Sequence, residues 1–459
     1  MTTHDDTAVP AGQMEPIRHD NLLINFTTEF LRIWDTHGSR AKKAAIWRPT
    51  PAADVLPGYF PLGDVLIDNH DNITGRHIVA VVCEADTPSA DPAKGKALCR
   101  PVDYELIWED TGSGSKKDGA IWRPVPPEGY VALGSVCSDG HQKPSFNAVR
   151  CVRADLVIAS GLSEQTWNDR SSGARKSIST WSAIPPSAPA DEIYLVPGTF
   201  VGCSGYSRPD NLFVYSLRIR ISLEVNPAPT LPVLDSEIPP CAQVPEHPTQ
   251  TARLPWFAVK DPQLSRREQL RESPFYLLQR TDYYQLVGHC KNGQDDARPI
   301  RWTAPRAQRS ENLRTFTQLT SIEFGAQWQS NARQPFLFSA RLNNAFTQCE
   351  IQSNEWLNPA PIEVAAVMAK NSSIGVYLMQ SDYVLLRADG THVTDDVSYT
   401  DGNSLHISQY TPTEPEVMVV PLVEPAVQAI IDTPSADNEV TAPLPEPEPD
   451  LPNATDTLP

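Results

Sequence analysis

The chain has 459 residues with 56 acidic against 38 basic side chains, a formal charge of −18 that gives no support to nucleic acid as a partner. Its 44 prolines against 23 glycines disfavour long helices relative to turns and short strands. No run approaches the roughly 20 apolar residues of a membrane helix. The start, Met1-Thr2-Thr3-His4-Asp5-Asp6, lacks the basic and apolar parts of an export signal, so the expectation is cytoplasmic synthesis with any release by a non-classical route.

Residues 1–20 read as a disordered N-terminus, and residues 21–226 as a triplicated all-β domain. The unit is an aspartate, a lysine seven residues on and a tryptophan five further: Asp35, Lys42, Trp47; Asp110, Lys117, Trp122; Asp169, Lys176, Trp181. A second tryptophan, Trp34, Trp108 or Trp167, precedes each aspartate within two residues. Behind the later tryptophan the first copy continues through Pro49, Gly58, Tyr59, Leu62 and Gly63, and the second through Arg123, Pro124, Gly129, Tyr130, Leu133 and Gly134. The third is worn: it keeps Trp181 and offers Tyr194, Leu195 and Gly198 where the Gly-Tyr-x-x-Leu-Gly string falls. Three copies of this size, rich in turns, argue for a closed pseudo-threefold body, with a β-prism as the first expectation, rather than a solenoid with capping units.

Residues 227–251 hold a dense run of prolines and read as an extended linker. Residues 252–410 read as a second β-rich domain. In it residues 261–271 suggest a short charged helix. Residues 275–280 and 283–287 read as two strands, as do 374–379 and 383–387, and Asp389-Gly390 as a turn. The parity of Phe316, Ile322, Phe324, Ala326 and Trp328, and then of Phe336, Phe338, Ala340 and Leu342, predicts two half-buried strands, each long enough to cross a bilayer as half of a hairpin. Residues 411–459 form an acidic, Pro-rich tail with ten carboxylates and no Lys or Arg, which accounts for −10 of the net charge. Within it residues 417–431 are apolar enough to dock.

Trp122-Arg123-Pro124, the Gly129-Tyr130-x-x-Leu133-Gly134 string, Lys143-Pro144 and Arg150-Cys151-Val152-Arg153-Ala154-Asp155-Leu156, preceded by Asp110-Thr111-Gly112-Ser113-Gly114, resemble the signature of the vacuolar protein sorting-associated protein 62 family. The second domain carries Leu254-Pro255-Trp256-Phe257, Ser273-Pro274-Phe275-Tyr276 and Tyr383-Val384-Leu385-Leu386-Arg387. There it is similar to modules paired with this signature in bacterial insecticidal, aerolysin-like proteins. The resemblance implies a non-enzymatic, toxin-like or pore-forming binding protein. Its partners would be a membrane surface, a glycan or a lipid headgroup, with a second protein component or further copies of the chain as co-partners. An intracellular adaptor of the sorting family is the alternative.

The repeated Asp35, Asp110 and Asp169 with Lys42, Lys117 and Lys176 invite two readings. In one, each turn is an anion- or sugar-binding notch. In the other, the aspartates cap their turns and pair with the lysines. Trp47, Trp122 and Trp181 read as core, and Tyr59, Tyr130 and Tyr194 as core rather than ligand-stacking rings. No phosphate loop, nucleophile elbow or zinc-protease motif occurs, so no enzyme activity and no cofactor are expected. Eight cysteines without a Cys-x-x-Cys pair, and Asp389, Asp395 and Asp396 off the calcium-loop spacing, leave no metal expected either. A Cys137–Cys151 bridge is one open pairing.

Overall fold

A computed structural model of the chain describes residues 14–89, 91–210, 213–239, 244–304, 310–330, 336–348 and 361–412. The acidic tail from residue 413, including the expected docking segment, and most of the N-terminal stretch lie outside the described residues.

Each copy of the repeat builds an antiparallel three-stranded unit, a separate sheet in the first two copies and one end of a seven-stranded sheet in the third. The strands are Phe30–Asp35, Ala45–Pro49 and Val65–Ile67 in the first copy, Asp103–Glu109, Gly119–Val125 and Val136–Asp139 in the second, and Val157–Asn168, Ile178–Ile184 and Val201–Ser204 in the third. Trp47, Trp122 and Trp181 occupy the same ladder position, opposite Val65, Val136 and Val201. All three are buried, as the prolines that follow Trp47 and Trp122 and the apolar flanks predict.

The copies close on one another. Asp64 N–H donates to the Ser135 carbonyl (2.9 Å), Ser135 N–H to Phe200 (2.8 Å), and Phe200 N–H back to Asp64 (3.2 Å), a cycle of three backbone bonds. The Leu-Gly end of the signature exists for this crossing. A Cβ on Gly134 would lie 2.6 Å from Thr199 Cβ, and one on Gly63 would lie 2.7 Å from Gly134 Cα. The third-copy equivalent of these glycines is therefore Thr199, not Gly198, and its hydroxyl donates to the Leu133 carbonyl at 2.6 Å. Tyr194 is buried, whereas Tyr59 and Tyr130 are half-buried, Tyr130 donating to the Lys96 carbonyl. Cys151 lies opposite Cys99 in an antiparallel ladder, while Cys137 sits in the tryptophan core, so the structure does not pair Cys137 with Cys151.

The second region is built on length. Strand Phe275–Asn292 runs antiparallel to Ser372–Arg387 from Tyr276↔Arg387 to Asn292↔Ser372, and Val397–Tyr410 flanks the latter. The paired short strands expected at 275–287 and 374–387 are thus two continuous ones, because a single register shift near Leu286 absorbs the irregularity instead of a turn. Helix Arg266–Glu272 forms where charge suggested it, started by a capping box in which Ser265 and Glu268 satisfy each other's backbone N–H groups.

The predicted strand over 316–328 is corrected. Ser310–Thr320 is a helix, with Phe316 and Thr320 buried at i and i+4 and Leu313 packed beside them; a short irregular stretch then leads to strand Trp328–Gln329. Phe316, Ile322, Phe324 and Trp328 are buried as expected and Ala326 is exposed, but 3.6-residue spacing serves Leu313 and Phe316 as well as period two serves Phe316 and Ile322. The partner segment likewise holds only strand Phe338–Arg341 and the one-turn helix Asn344–Thr347 among the described residues.

The regions share a core. Phe338–Arg341 pairs with Glu192–Leu195 of the third copy, and Phe26 packs edge-on against Trp256 (5.1 Å between centroids) and Phe336 (5.5 Å). The proline-rich stretch lies along the long sheet: Leu234 N–H donates to Ser408 Oγ at 2.8 Å, and His406 Nε2 sits 3.0 Å from the Pro232 carbonyl.

Candidate functional site

The three Asp-to-Lys segments form an apex around three tryptophans, whose cluster also takes in Phe200 beside the glycine crossing. Trp34, Trp108 and Trp167 meet edge to face, with centroids 5.3, 6.2 and 6.5 Å apart. Each indole N–H reaches into the turn of the next copy. Trp34 Nε1 donates to Asp110 Oδ2 (3.0 Å) and the Lys117 carbonyl (3.0 Å); Trp108 Nε1 donates to Asp169 Oδ2 (3.0 Å) and the Lys176 carbonyl (2.9 Å). Trp167 Nε1 closes the ring on the Lys42 carbonyl at 2.9 Å. The constant spacing has a physical cause: the segment must present one carbonyl, and in two copies one carboxylate, to a neighbour's buried indole, which would otherwise lose a hydrogen bond.

The first copy departs from the other two by one residue. Thr36 N–H bonds the Ala44 carbonyl just as Asp110 N–H bonds Gly119 and Asp169 N–H bonds Ile178. Thr36, two residues after Trp34, is thus the counterpart of Asp110 and Asp169, and Asp35 is the counterpart of Glu109. Sequence spacing counted back from Trp47 aligned the wrong residue, because the first copy is one residue shorter between its tryptophans.

Asp110 and Asp169 are buried with their oxygens engaged. Asp110 Oδ1 lies 2.8 Å from His141 Nε2, and Asp169 Oδ1 accepts the Ile178 N–H at 3.0 Å. Asp35 is half-exposed, accepts from His37 N–H at 2.9 Å and sits 2.7 Å from His37 Nδ1. None of the three pairs with the lysine of its own copy. Lys117 Nζ instead donates to the Ile33 carbonyl (2.9 Å) and lies 3.4 Å from Asp139. All three lysines serve the fold through their carbonyls, and the side chains of Lys42 and Lys176 are exposed.

The turns also interlock: Lys116 N–H donates to the His37 carbonyl (2.7 Å) and Arg175 N–H to the Thr111 carbonyl (3.0 Å). Gly38, Gly112 and Gly173, at φ +91°, +89° and +87°, make this approach possible; a Cβ on Gly38 would lie 2.6 Å from the Gly114 carbonyl oxygen. The exposed side chains are basic: Arg40, Lys42 and Lys43 on the first turn, Lys116 and Lys117 on the second, Arg170, Arg175 and Lys176 on the third. Asp118 and Asp139, the latter 3.4 Å from Lys117, are exposed carboxylates among them. A chain of net −18 thus gathers cations at one end.

The histidines of the apex titrate differently. The hydrogen bond to Asp110 raises the His141 pKa above its ordinary 6.5, while burial, followed by the charge of His37, lowers that of His70. Burial would raise the Asp35 carboxyl, but hydrogen bonds from His37 outweigh it and hold the group below its usual range. Sequence reasoning missed His37, His70 and His141. His70 and His141 follow the third strand of copies one and two at the same offset, a signal visible only once the copies are aligned by strand register.

The fold and apex define a closed three-copy β body joined to a long-stranded β region. The model of the vacuolar protein sorting-associated protein 62 family matches residues 12–231, the triplicated region, just under half of the chain. Among solved structures, GNIP1Aa from Chromobacterium piscinae is 27% identical with a TM-score of 0.34, covering 42% of this chain and 34% of its own. Cry35Ab1 is 8% identical with a TM-score of 0.27, covering 68% of this chain and 89% of its own. The chain spans about a third of the length of the GNIP1Aa structure. No curated protein matches it. Among the described residues no helix is long and apolar enough to cross a membrane.

Proposed function

We propose that this is a non-enzymatic, toxin-like targeting protein that binds an anionic surface through the basic apex of its triplicated region, with the long-stranded region as the acting or assembling part. The observation that carries the reading is the charge asymmetry at the apex: exposed Arg and Lys on three interlocked turns, held by an indole ring that fixes their backbone, in a chain that is acidic overall. Clustered cations on a rigid frame attract anionic lipid headgroups at roughly 1 kcal/mol per Lys or Arg near the surface. They attract acidic glycans by the same charge pairing. Lys42 and Lys176 are exposed and do their structural work through the main chain, while the exposed Lys117 also holds the Ile33 carbonyl and Asp139 through its ammonium.

The test is co-sedimentation of the intact protein with vesicles of phosphatidylcholine alone and with 30 mol % phosphatidylserine, beside an array of neutral and acidic glycans. Binding to the serine lipid, weakened at least tenfold when Lys42, Lys117 and Lys176 are all changed to Gln, is the expected result. Binding to acidic glycans alone assigns the surface to carbohydrate. Equal binding to neutral and anionic targets, or no loss in the triple variant, overturns the apex assignment. Dye leakage from the same vesicles separates a pore-forming component from an adaptor that binds without permeabilising.

A further inference from the structure

The first copy's one-residue shift creates a side-chain cluster that the other copies lack. Thr36 takes the place that aspartate holds in copies two and three, and the carboxylate moves to Asp35, away from the indole ring. There Asp35 meets two imidazoles. His37 Nδ1 lies 2.7 Å from Asp35 Oδ1, and the rings of His37 and His70 stack with centroids 3.8 Å apart and planes 28° from parallel. One ligand atom from each of the three side chains lies within 4.8 Å of the others.

We propose that Asp35, His37 and His70 bind a divalent transition metal of the zinc class. Two imidazole nitrogens and one carboxylate oxygen are the donors that borderline ions such as Zn²⁺ and Ni²⁺ select, whereas Ca²⁺ and Mg²⁺ require more oxygens. Donor atoms around a tetrahedral zinc stand about 3.4 Å apart at the usual bond lengths of about 2.0–2.1 Å. Rotations of exposed His37 and half-buried His70 span that difference. The hydroxyl of Thr36 accepts the Ala44 N–H at 2.9 Å and donates to the Ala44 carbonyl at 3.3 Å. His70 Nε2, 2.8 Å from that oxygen, is then the donor, and the His70 Nδ1 lone pair is left for the ion. The ion replaces the proton shared between Asp35 Oδ1 and His37 Nδ1, and that proton leaves to solvent. The competing cation is Arg32, whose Nη1 is 3.5 Å from Asp35. Its Nη2 is anchored on the His70 carbonyl at 2.8 Å, so the guanidinium can keep one contact while giving up the other. Three protein ligands leave a coordination position open on the apex.

The second copy supplies an internal control. Its Asp110, Asp118 and His141 also fall within 4.8 Å, but Asp110 is committed to the Trp34 indole and only one imidazole is present. Calorimetric titration of the chelator-treated full chain with Zn²⁺ and Ni²⁺ is expected to show one ion bound per chain. That binding is expected to weaken at least tenfold in His37→Ala and in His70→Ala, to persist in His141→Ala, and to be absent for Ca²⁺. Melting curves of the metal-free variants check that the fold is kept, and His70→Gln serves if His70→Ala does not fold. Absence of Zn²⁺ and Ni²⁺ uptake at 1 mM ion, uptake that survives the double His37→Ala/His70→Ala change, or preference for Ca²⁺ overturns the site. Vesicle binding plays no part in this readout, so its failure and the failure of the apex reading are separate results.

Discussion

The two regions of this molecule reach a buried core by opposite means. The triplicated region uses strands of mostly two to seven residues and one local rule applied in each copy: an indole N–H donated into the neighbour's turn. The second region uses antiparallel strands of 18, 16 and 14 residues and single, unrepeated polar locks. Its main lock is Asp261, which accepts from Arg387 Nε (2.7 Å), Arg387 Nη2 (3.0 Å) and Tyr276 Oη (3.0 Å). Repetition makes the first region a stiff frame in which each copy's error is felt by the next. Length makes the second region dependent on a few contacts far apart in sequence.

The sharpest way to break this contrast is at the indole ring. Trp108→Ala removes a fully buried side chain and leaves Asp169 without its indole donor, so it is expected to cost about 3–5 kcal/mol in urea unfolding. Trp108→Phe keeps most of the volume and is expected to cost about 1–3 kcal/mol from the indole N–H lost to Asp169 Oδ2 and the Lys176 carbonyl. A Trp108→Ala loss below about 1 kcal/mol would show that the ring does not couple the copies.

In the second region Arg387→Met strands a fully buried carboxylate and is expected to cost about 3–5 kcal/mol near neutral pH. The cost has a sign in pH. Burial by itself would raise the Asp261 pKa, but the Arg387 hydrogen bonds outweigh it and hold the group below 3.8. A depressed carboxyl contributes stability above its unfolded value and loses it as pH falls through the folded one. The gap between wild type and variant is therefore expected to narrow below about pH 4. A gap that widens on acidification would assign the stability to something other than this pair.

Much of this contrast is legible in the sequence, and the places where it is not are instructive. The three copies, the buried Trp47, Trp122 and Trp181 and the β character show in spacing and alternation, because period and punctuation are local properties. The roles of Asp110 and Asp169 do not, since their partner is an indole in another copy. The shift from Asp35 to Thr36 is hidden for the same reason: only the bond from Thr36 N–H to the Ala44 carbonyl reveals it. The end of helix Ser310–Thr320 reads as part of a strand because Phe316 fits both the helical spacing from Leu313 and the parity of Ile322, Phe324 and Trp328. The continuity of Phe275–Asn292 is set by its long partner rather than by its own turn-like Thr281-Asp282.

The glycine crossing gives a smaller effect that sharpens the picture of cyclic closure. Gly134→Ala would press a methyl against Thr199 at 2.6 Å and Gly63 Cα at 3.1 Å, and is expected to cost about 1–3 kcal/mol by overpacking. Combining it with Thr199→Gly should recover most of that loss, because the strain is pairwise and on the axis. Absence of recovery in thermal melts would mean that the three backbones do not share one crossing.

The smallest expected effect asks whether the apex is also an electrostatic frame. His141 is about a third exposed beside buried Asp110, and the hydrogen bond between them raises its pKa above 6.5. A raised pKa means that the protonated imidazole is favoured by the fold. Its contribution is full below the unfolded value and disappears as pH rises through the folded one. His141→Gln should therefore lower the melting temperature at pH 5.5 and leave little difference at pH 8.5, with an exposed-pair magnitude of at most about 1 kcal/mol. His37→Gln is the comparison within the frame, since Asp35 lies outside the indole ring and its loss touches no buried carboxylate. If His141→Gln were equally costly at both pH values, Asp110 would be held by the Trp34 indole and packing alone. The second copy would then differ from the first in hydrogen bonding but not in charge.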